Sequence, residues 1–328
     1  MASTGGTAGR LMSAKRNWLR AIRFDGPAYV PRGNEGVVAG VQVAGNFRVA
    51  CWTDAWGVRW ETTRDDMVPF PKGHPLPDVR RVDEFVVPDA HALFDADPSL
   101  AQQLAQIPDR EEKLVLGQLT YLLFERAWAV TGLESFLTAM YDHPCELREL
   151  LRRITDFNLA VFERYAALGV EGVGFSEDLG TQRALMISPA AFRRFLKPEY
   201  ARLFADAKAR GLLINFHSCG RVQDVVEDLI EVGVDILNPV QARANDLAHV
   251  KALAHGRLAL EGGIDTQHVL MRGTPAEVED EVRRVLGILA PGGGYIIGPD
   301  QGMPFPPENI AALWRAAERW GQYPLELG

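Results

Sequence analysis

From about residue 113 to its end the chain alternates short apolar runs with amphipathic helical stretches, and this alternation limits the folds open to it. Such a pattern belongs to parallel βα units, whose strands are covered on both faces. KLVLGQL reads as the first strand, followed by a helical stretch from Tyr121 to Met140 and a long helix from Pro144 to Ala167. VEGVGF, LLINF, VDILNPV, RLAL and GGYIIG read as the strands that follow. Helix ends carry their own marks: Ser188 caps and Pro189 opens one helix, Thr274, Pro275 and Glu277 set up a capping box, and Gly233 stops the helix of RVQDVVEDLIEVG. The last helix is PPENIAALWRAAERW. Units of this length predict an α/β chain folded as a (β/α)8 TIM barrel. Against a doubly wound sheet, no strand is followed by GxGxxG or GxxxxGK[ST].

Residues 13–110 lack that period and are expected to form an irregular N-terminal cap on a single domain spanning 13–328. Four of the seven Trp fall in this region. Alternation from Val49 to Trp60 suggests a strand or hairpin, and the Pro-rich run after Met67 is assigned to loop. Trp52, Trp56 and Trp60, spaced by four, suit either a substrate lid or a packed helical face, and the packed face is preferred. Residues 1–12 are small and polar, without the apolar stretch of a signal peptide, and are expected to be a disordered tail.

The net charge of −8 and pI near 5.5 give no electrostatic reason to bind nucleic acid or an anionic membrane, and neither is expected as a partner. No apolar run is long enough to span a bilayer. Cys51, Cys145 and Cys219 do not make a disulfide framework, so a cytoplasmic location is expected, with Cys51 and Cys145 read as packing residues.

In a barrel the chemistry sits where strands end, and polar residues cluster there. VGF is followed by Ser176, Glu177, Asp178 and Gln182, LLINF by His217, Ser218 and Cys219, and VDIL by Asn238 and Gln241. RLAL is followed by Glu261, Gly262, Gly263 and Asp265, and YIIG by Asp300 and Gln301. Loops of this kind are polar in any protein, so the convergence of separate segments on one rim carries the argument. His217 and Cys219, separated by one residue, offer an imidazole nitrogen and a thiolate to one centre, a pair that zinc accepts, while Gly220 lets the backbone turn. The plainer alternative is a small buried cysteine beside a strand. Glu177 and Asp178 are adjacent carboxylates, candidates for acid–base catalysis or metal ligation; a cap at Asp178 and a solvated Glu177 are the plainer reading. Asp265 either binds substrate or caps the helix of Thr266 to Met271. Gln182, Asn238, Gln241, Glu261, Asp265 and Gln301 are taken as substrate-binding candidates.

Together the segments FSEDLGTQRALMISPAAFRRFLKPEYARLF, FHSCGRVQDVVEDLIEVGVDILNPVQ, EGGIDTQHVL, RGTPAEVEDEV and PGGGYIIGPDQGMPFPPENI, with RAIRFDGPAYVP, WGVRWE and LFERAW before them, resemble the uroporphyrinogen decarboxylase-like superfamily. The closest branch in motif is that of the cobamide-dependent methyltransferases. The resemblance implies a TIM barrel with its pocket on the polar rim. The porphyrinogen decarboxylases' RQAGRY-type motif and pyrrole-binding Asp have no counterpart, which disfavours tetrapyrrole decarboxylation. The methyltransferase branch holds zinc with an H-x-C pair, matched by His217 and Cys219, and a later Cys; here that region reads GPDQGM, so Asp300 is the nearest substitute and Glu177 another candidate. An N/S/O ligand set is harder than a thiolate-rich one and suits an oxygen-bearing substrate. The resemblance thus implies a zinc-dependent methyltransferase moving a methyl group between a small methoxylated or methylated substrate and a corrinoid (cobalamin) cofactor carried by a separate protein, with Glu177 or Asp178 as acid–base group. Two alternatives stand beside it: a decarboxylase or other lyase on a small carboxylate, and a non-enzymatic corrinoid- or substrate-binding protein. A homodimer is expected from the resemblance and from the common two-fold habit of soluble enzymes.

Overall fold

The structure, a computed structural model, describes residues 12–43, 51–62, 69–302 and 304–328. The expected tail lies outside them except for Met12. Strand β1 (Val38–Gln42) is followed by β2 (Trp52–Thr53), β3 (Arg59–Glu61) and β4 (Phe70–Gly73), then by β5 (Leu114–Leu119) and β6 (Gly172–Ser176). β7 (Leu213–His217), β8 (Ile236–Asn238), β9 (Ala259–Ile264) and β10 (Tyr295–Pro299) complete the series. β1 and β5 to β10 form a seven-stranded sheet in that order, with every neighbouring pair parallel. The sheet curls until its ends approach. Ile297 N donates to Pro31 O at 2.9 Å and Arg32 makes a parallel bridge to Ile297, just before the chain enters β1. The barrel is thus closed by a single bridge where an eighth strand was expected.

Residues two apart on a strand point the same way. The inward row near the strands' N-terminal ends is apolar: Leu114, Leu116, Ile236, Ala259 and Ile296 meet Trp18 and Ile22 of the helix Ala14–Ile22 in one cluster. That helix plugs the barrel floor, with the Trp18 indole N–H donating to Glu35 at 2.8 Å. The outward rows, among them Val115, Val173, Ile214, Phe216 and Leu260, pack with the surrounding helices in the main core.

The helix marks hold in detail. Ser188 accepts from Ala191 N with Pro189 at the first position, and Thr274 and Glu277 make a reciprocal capping box. The long helix runs Pro144–Ala167. Other boundaries differ. The stretch Tyr121–Met140 is two helices, Phe124–Thr131 and Leu133–Asp142, broken at Gly132, whose φ of 86° a side chain would resist. The strand read as RLAL continues through Ile264, so Glu261, Gly262 and Gly263 lie in β9 and not in a loop after it.

In the N-terminal region the hairpin expectation corresponds to β2 and β3, which pair antiparallel, while Val49 and Ala50 fall outside the described residues. The run after Met67 is not all loop. Phe70–Gly73 is an edge strand on β3 with Pro71 opposite Trp60, the edge being where a sheet admits proline. The tryptophans accordingly share no helical face: Asp54 folds the intervening turn by accepting from Trp56 N and Val58 N, each at 2.9 Å. Trp56 and Trp60 are buried, and Trp60 stacks on Tyr121 with ring centroids 5.0 Å apart. Cys51 and Cys145 are exposed, so neither is the packing residue expected. Among the described residues no helix is long and apolar enough to cross a membrane.

One buried carboxylate ties the first βα unit to its neighbours. The helix Phe124–Thr131 has no side-chain cap of its own. Glu177, fully buried just beyond β6, accepts instead from Leu123 N at 3.0 Å, Phe124 N at 2.6 Å and Glu125 N at 3.2 Å, and from the Tyr200 hydroxyl. Burial pushes its pKa up to about 7 against the pull of these donors. Glu177→Gln replaces one accepting oxygen by an amide that faces N–H donors. It is expected to lower the unfolding free energy by about 1–3 kcal/mol, read from urea denaturation; unchanged stability would contradict this structural role.

Candidate functional site

Toward the C-terminal ends of the strands the inward row turns polar. Gln42, Gln118, Ser176, Asn215, His217, Asn238 and Glu261 each follow an inward position by the strand period, and all line one cavity of about 470 Å³. Trp18 also borders it.

The loops after β6 and β7 are laced together at the mouth. Leu179 N donates to the buried Ser218 Oγ at 2.9 Å, and Arg221 N donates to Thr181 O at 2.7 Å. Gly180 and Gly220 make this approach possible: a Cβ on Gly220, whose φ is 81°, would lie 2.4 Å from the Gly180 carbonyl. The contact carries Asp178 to Cys219, whose backbone N–H donates to Asp178 Oδ1 at 2.7 Å. His217, at the end of β7, completes the group.

Asp178, His217 and Cys219 offer one oxygen, one nitrogen and one sulfur, all within 4.8 Å of one another. Their side chains are half-buried, His217 at 33% and Asp178 at 39% exposure, so the group can be approached from outside. Asn238 sets the imidazole. Its amide N–H donates to Glu261 while its Oδ1 lies 2.8 Å from His217 Nδ1, which places the ring proton on Nδ1 and a lone pair on Nε2. The Cys219 thiol donates to that Nε2 at 3.4 Å, and Gln301 Nε2 donates to the sulfur at 3.4 Å. Burial and the Asp178 charge push the thiol up to about 12. A dication placed among the three atoms reverses that balance, because it takes the proton's place at sulfur. The donor set, with its imidazole held by an outer amide, fits zinc.

The other expected residues fall elsewhere. Asp300 is buried beside a neighbouring loop, with its oxygens taken by Thr266 Oγ1 at 2.6 Å, Thr266 N at 3.2 Å and Ala242 N at 3.0 Å. It is not in the His217–Cys219 group. Glu177 points away from the cavity into the helix start described above, and it is not solvated. Gln241 acts as a clasp: its Oε1 accepts from Gly220 N at 2.8 Å and from Gln182 Nε2 at 3.0 Å. Asp265 accepts from Gln267 N and His268 N, capping the turn Thr266–Leu270, and pairs with Arg243 at 2.6 Å. Of the substrate-binding candidates, Asn238 and Glu261 reach the cavity and Gln301 reaches the thiol.

Sequence reasoning passed over three groups. Gln42, Gln118 and Asn215 are the amides of the inward row; the signal was a polar residue in phase with apolar ones, as in Leu114, Leu116, Gln118. Glu125, buried behind the mouth, accepts from Ser176 Oγ at 2.5 Å, and burial with the charges of Asp178 and Glu177 pushes it up to about 8. Asp54 and Arg126 form an ion pair of 2.8 Å beside a second cavity of about 180 Å³ under the tryptophan hairpin, which shares Gln118, Leu119 and Thr120 with the first.

No curated protein sequence matches the chain. Among solved structures, a methyltransferase from Methanosarcina mazei superposes with a TM-score of 0.73 at 17% identity, covering 94% of this chain and 99% of that one. A Xanthomonas albilineans dihydropteroate synthase solved with 4-aminobenzoic acid matches at a TM-score of 0.32 and 19% identity, over 48% of this chain and 58% of that one. The first shows the fold shared over 94% of this chain. Residues 119–320, which hold the triad, its supporting loops and the inward residues of β6 to β10, match the sequence model described as uroporphyrinogen decarboxylase (URO-D), and the chain belongs to that family.

Proposed function

We propose that this protein is a zinc-dependent methyltransferase that moves a methyl group between a small methylated or methoxylated substrate and a corrinoid presented by a separate protein. The observation that carries the reading is the Asp178–His217–Cys219 group at the barrel mouth, with its ligand atoms within 4.8 Å and His217 facing the cavity. The structural likeness to a protein titled a methyltransferase, over nearly all of both chains, supports the same direction.

Zinc held by these three residues would supply Lewis acidity to a substrate heteroatom, lowering the cost of the charge that develops there. The chain does the rest. Asn238 fixes the imidazole so that its lone pair points to the donor group, and Gln301 orients the sulfur. A thiolate, a carboxylate and a neutral imidazole together balance a dication, which leaves the centre harder than a thiolate-rich one and suited to an oxygen- or nitrogen-bearing substrate. The half-exposed triad leaves room for a bulky methyl carrier to approach from solvent while the small substrate occupies the cavity. Decarboxylation of a small carboxylate is less well supported, because such a substrate calls for a Lys or Arg. Among the described residues lining the larger cavity there is neither.

The wild-type chain, purified without chelator, is expected to hold about one zinc and to change the visible spectrum of cob(I)alamin or methylcobalamin in a substrate-dependent way, with His217→Ala and Cys219→Ser losing both properties. Zinc bound without any spectral turnover across methyl donors would contradict the transferase reading. Asn238→Ala is expected to weaken zinc binding by about 10–100-fold while keeping all three ligands, measured by competition with a chromophoric chelator. Unaltered affinity would show that the amide does not set the imidazole.

A further inference from the structure

The inward cavity carries a lopsided charge. Glu261 faces it from β9; burial pushes its carboxyl up to about 7, and among the described residues the side chain that favours its charged form is the neutral amide of Asn238. A carboxylate drawn partly out of water, as Glu261 is, is costly unless a cation meets it. Of the described residues that line the cavity none is Lys or Arg, and His217 has its Nδ1 proton committed to Asn238. Asp178 stands at the mouth, and the buried carboxyls of Glu125 and Glu177 lie behind it, so these neighbours bring no cation to Glu261. Walls of low dielectric strengthen the field of the charge that Glu261 carries when ionised.

The rest of the lining is neutral and of two kinds. Gln42, Gln118 and Asn215 bring amides, and Asn215 Oδ1 is buried with no donor to meet it. Trp18, Leu119 and Phe175 bring apolar surface. Amide oxygens accept from an N–H, apolar and aromatic surface receives methyl groups, and a lone carboxylate balances one positive charge. A bound cation favours the ionised carboxyl and an anion opposes it, whereas a neutral ligand leaves burial to favour the protonated form.

We propose that this cavity binds a small methylated ammonium ion, with Glu261 as its counter-charge and the amides of Gln42, Gln118 and Asn215 around it. Glu261 is then a specificity-determining residue. The proposal rests on the transferase reading only in casting the ion as the methyl-bearing substrate; the binding itself requires no metal and no corrinoid.

The test compares two probes of one shape and different charge, choline and 3,3-dimethylbutan-1-ol, titrated calorimetrically into the full chain. Choline is expected to bind at least about tenfold tighter than the alcohol, and Glu261→Gln is expected to remove that preference while leaving the alcohol's affinity within about twofold. Cys219→Ser is expected to keep it. The wild-type comparison stands without any variant, so a poorly folding Glu261→Gln would not shelter the claim. Equal affinities, absence of binding by both probes, or a folded Glu261→Gln that still prefers choline would overturn it. Methyl transfer assayed on the same preparations separates the two readings. A cation preference without transfer overturns the transferase and keeps the cation site, and transfer from a neutral methoxylated donor without a cation preference does the reverse.

Discussion

Side chains on a barrel strand face inward at every second residue, and the character of the cavity follows from where along that row apolar residues give way to polar ones. In β5 the row reads Leu114, Leu116, Gln118; in β7, Leu213, Asn215, His217; in β9, Ala259, Glu261. The apolar part is sealed from below by Trp18 and Ile22, which pack with it in one cluster. The polar part sits above it and stays open. Packing and chemistry are thereby divided along one axis, and a cavity with amides and a carboxyl can exist in a barrel whose interior is ordinarily filled by branched apolar side chains.

The donor group at the mouth depends on a second constraint, the contact between two loops. Leu179 meets Ser218, Gly180 meets Gly220 and Thr181 meets Arg221, so the chain after β6 lies along the chain after β7. Gln241 closes the arrangement from the loop after β8. Adjacent acids that look alike in sequence are given opposite tasks by this geometry. Glu177 turns away from the cavity and takes four donors from a helix start and a tyrosine, while Asp178 turns to Cys219 at the mouth.

The barrel, the order of its units and several helix caps were legible in the sequence because each depends on neighbours close along the chain: apolar period, Ser188 with Pro189, Thr274 with Glu277. His217 and Cys219 were legible for the same reason. The third member of their group was not. Asp178 and Asp300 both follow strands, and only the Gly180–Gly220 approach distinguishes the one that arrives. Glu261 was found but misplaced, since Gly262 and Gly263 read as loop punctuation although they lie in β9 with φ of 99° and 82°. The tryptophans misled through spacing: a step of four suits a helix, whereas Asp54 turns the chain back between them. Gln42, Gln118 and Asn215 went unnoticed because an amide in a strand attracts no attention until its phase is compared with its neighbours'.

The most direct measurement is cobalt(II) binding to the wild type, Asp178→Asn and Asp300→Asn, followed through the thiolate-to-cobalt absorption in the near ultraviolet. The wild type and the folded Asp300→Asn are expected to bind cobalt with the same spectrum, because Asp300 is occupied by Thr266 and Ala242, while Asp178→Asn is expected to bind it at least about tenfold more weakly. A spectrum lost in Asp300→Asn and kept in Asp178→Asn would contradict the metal centre described here.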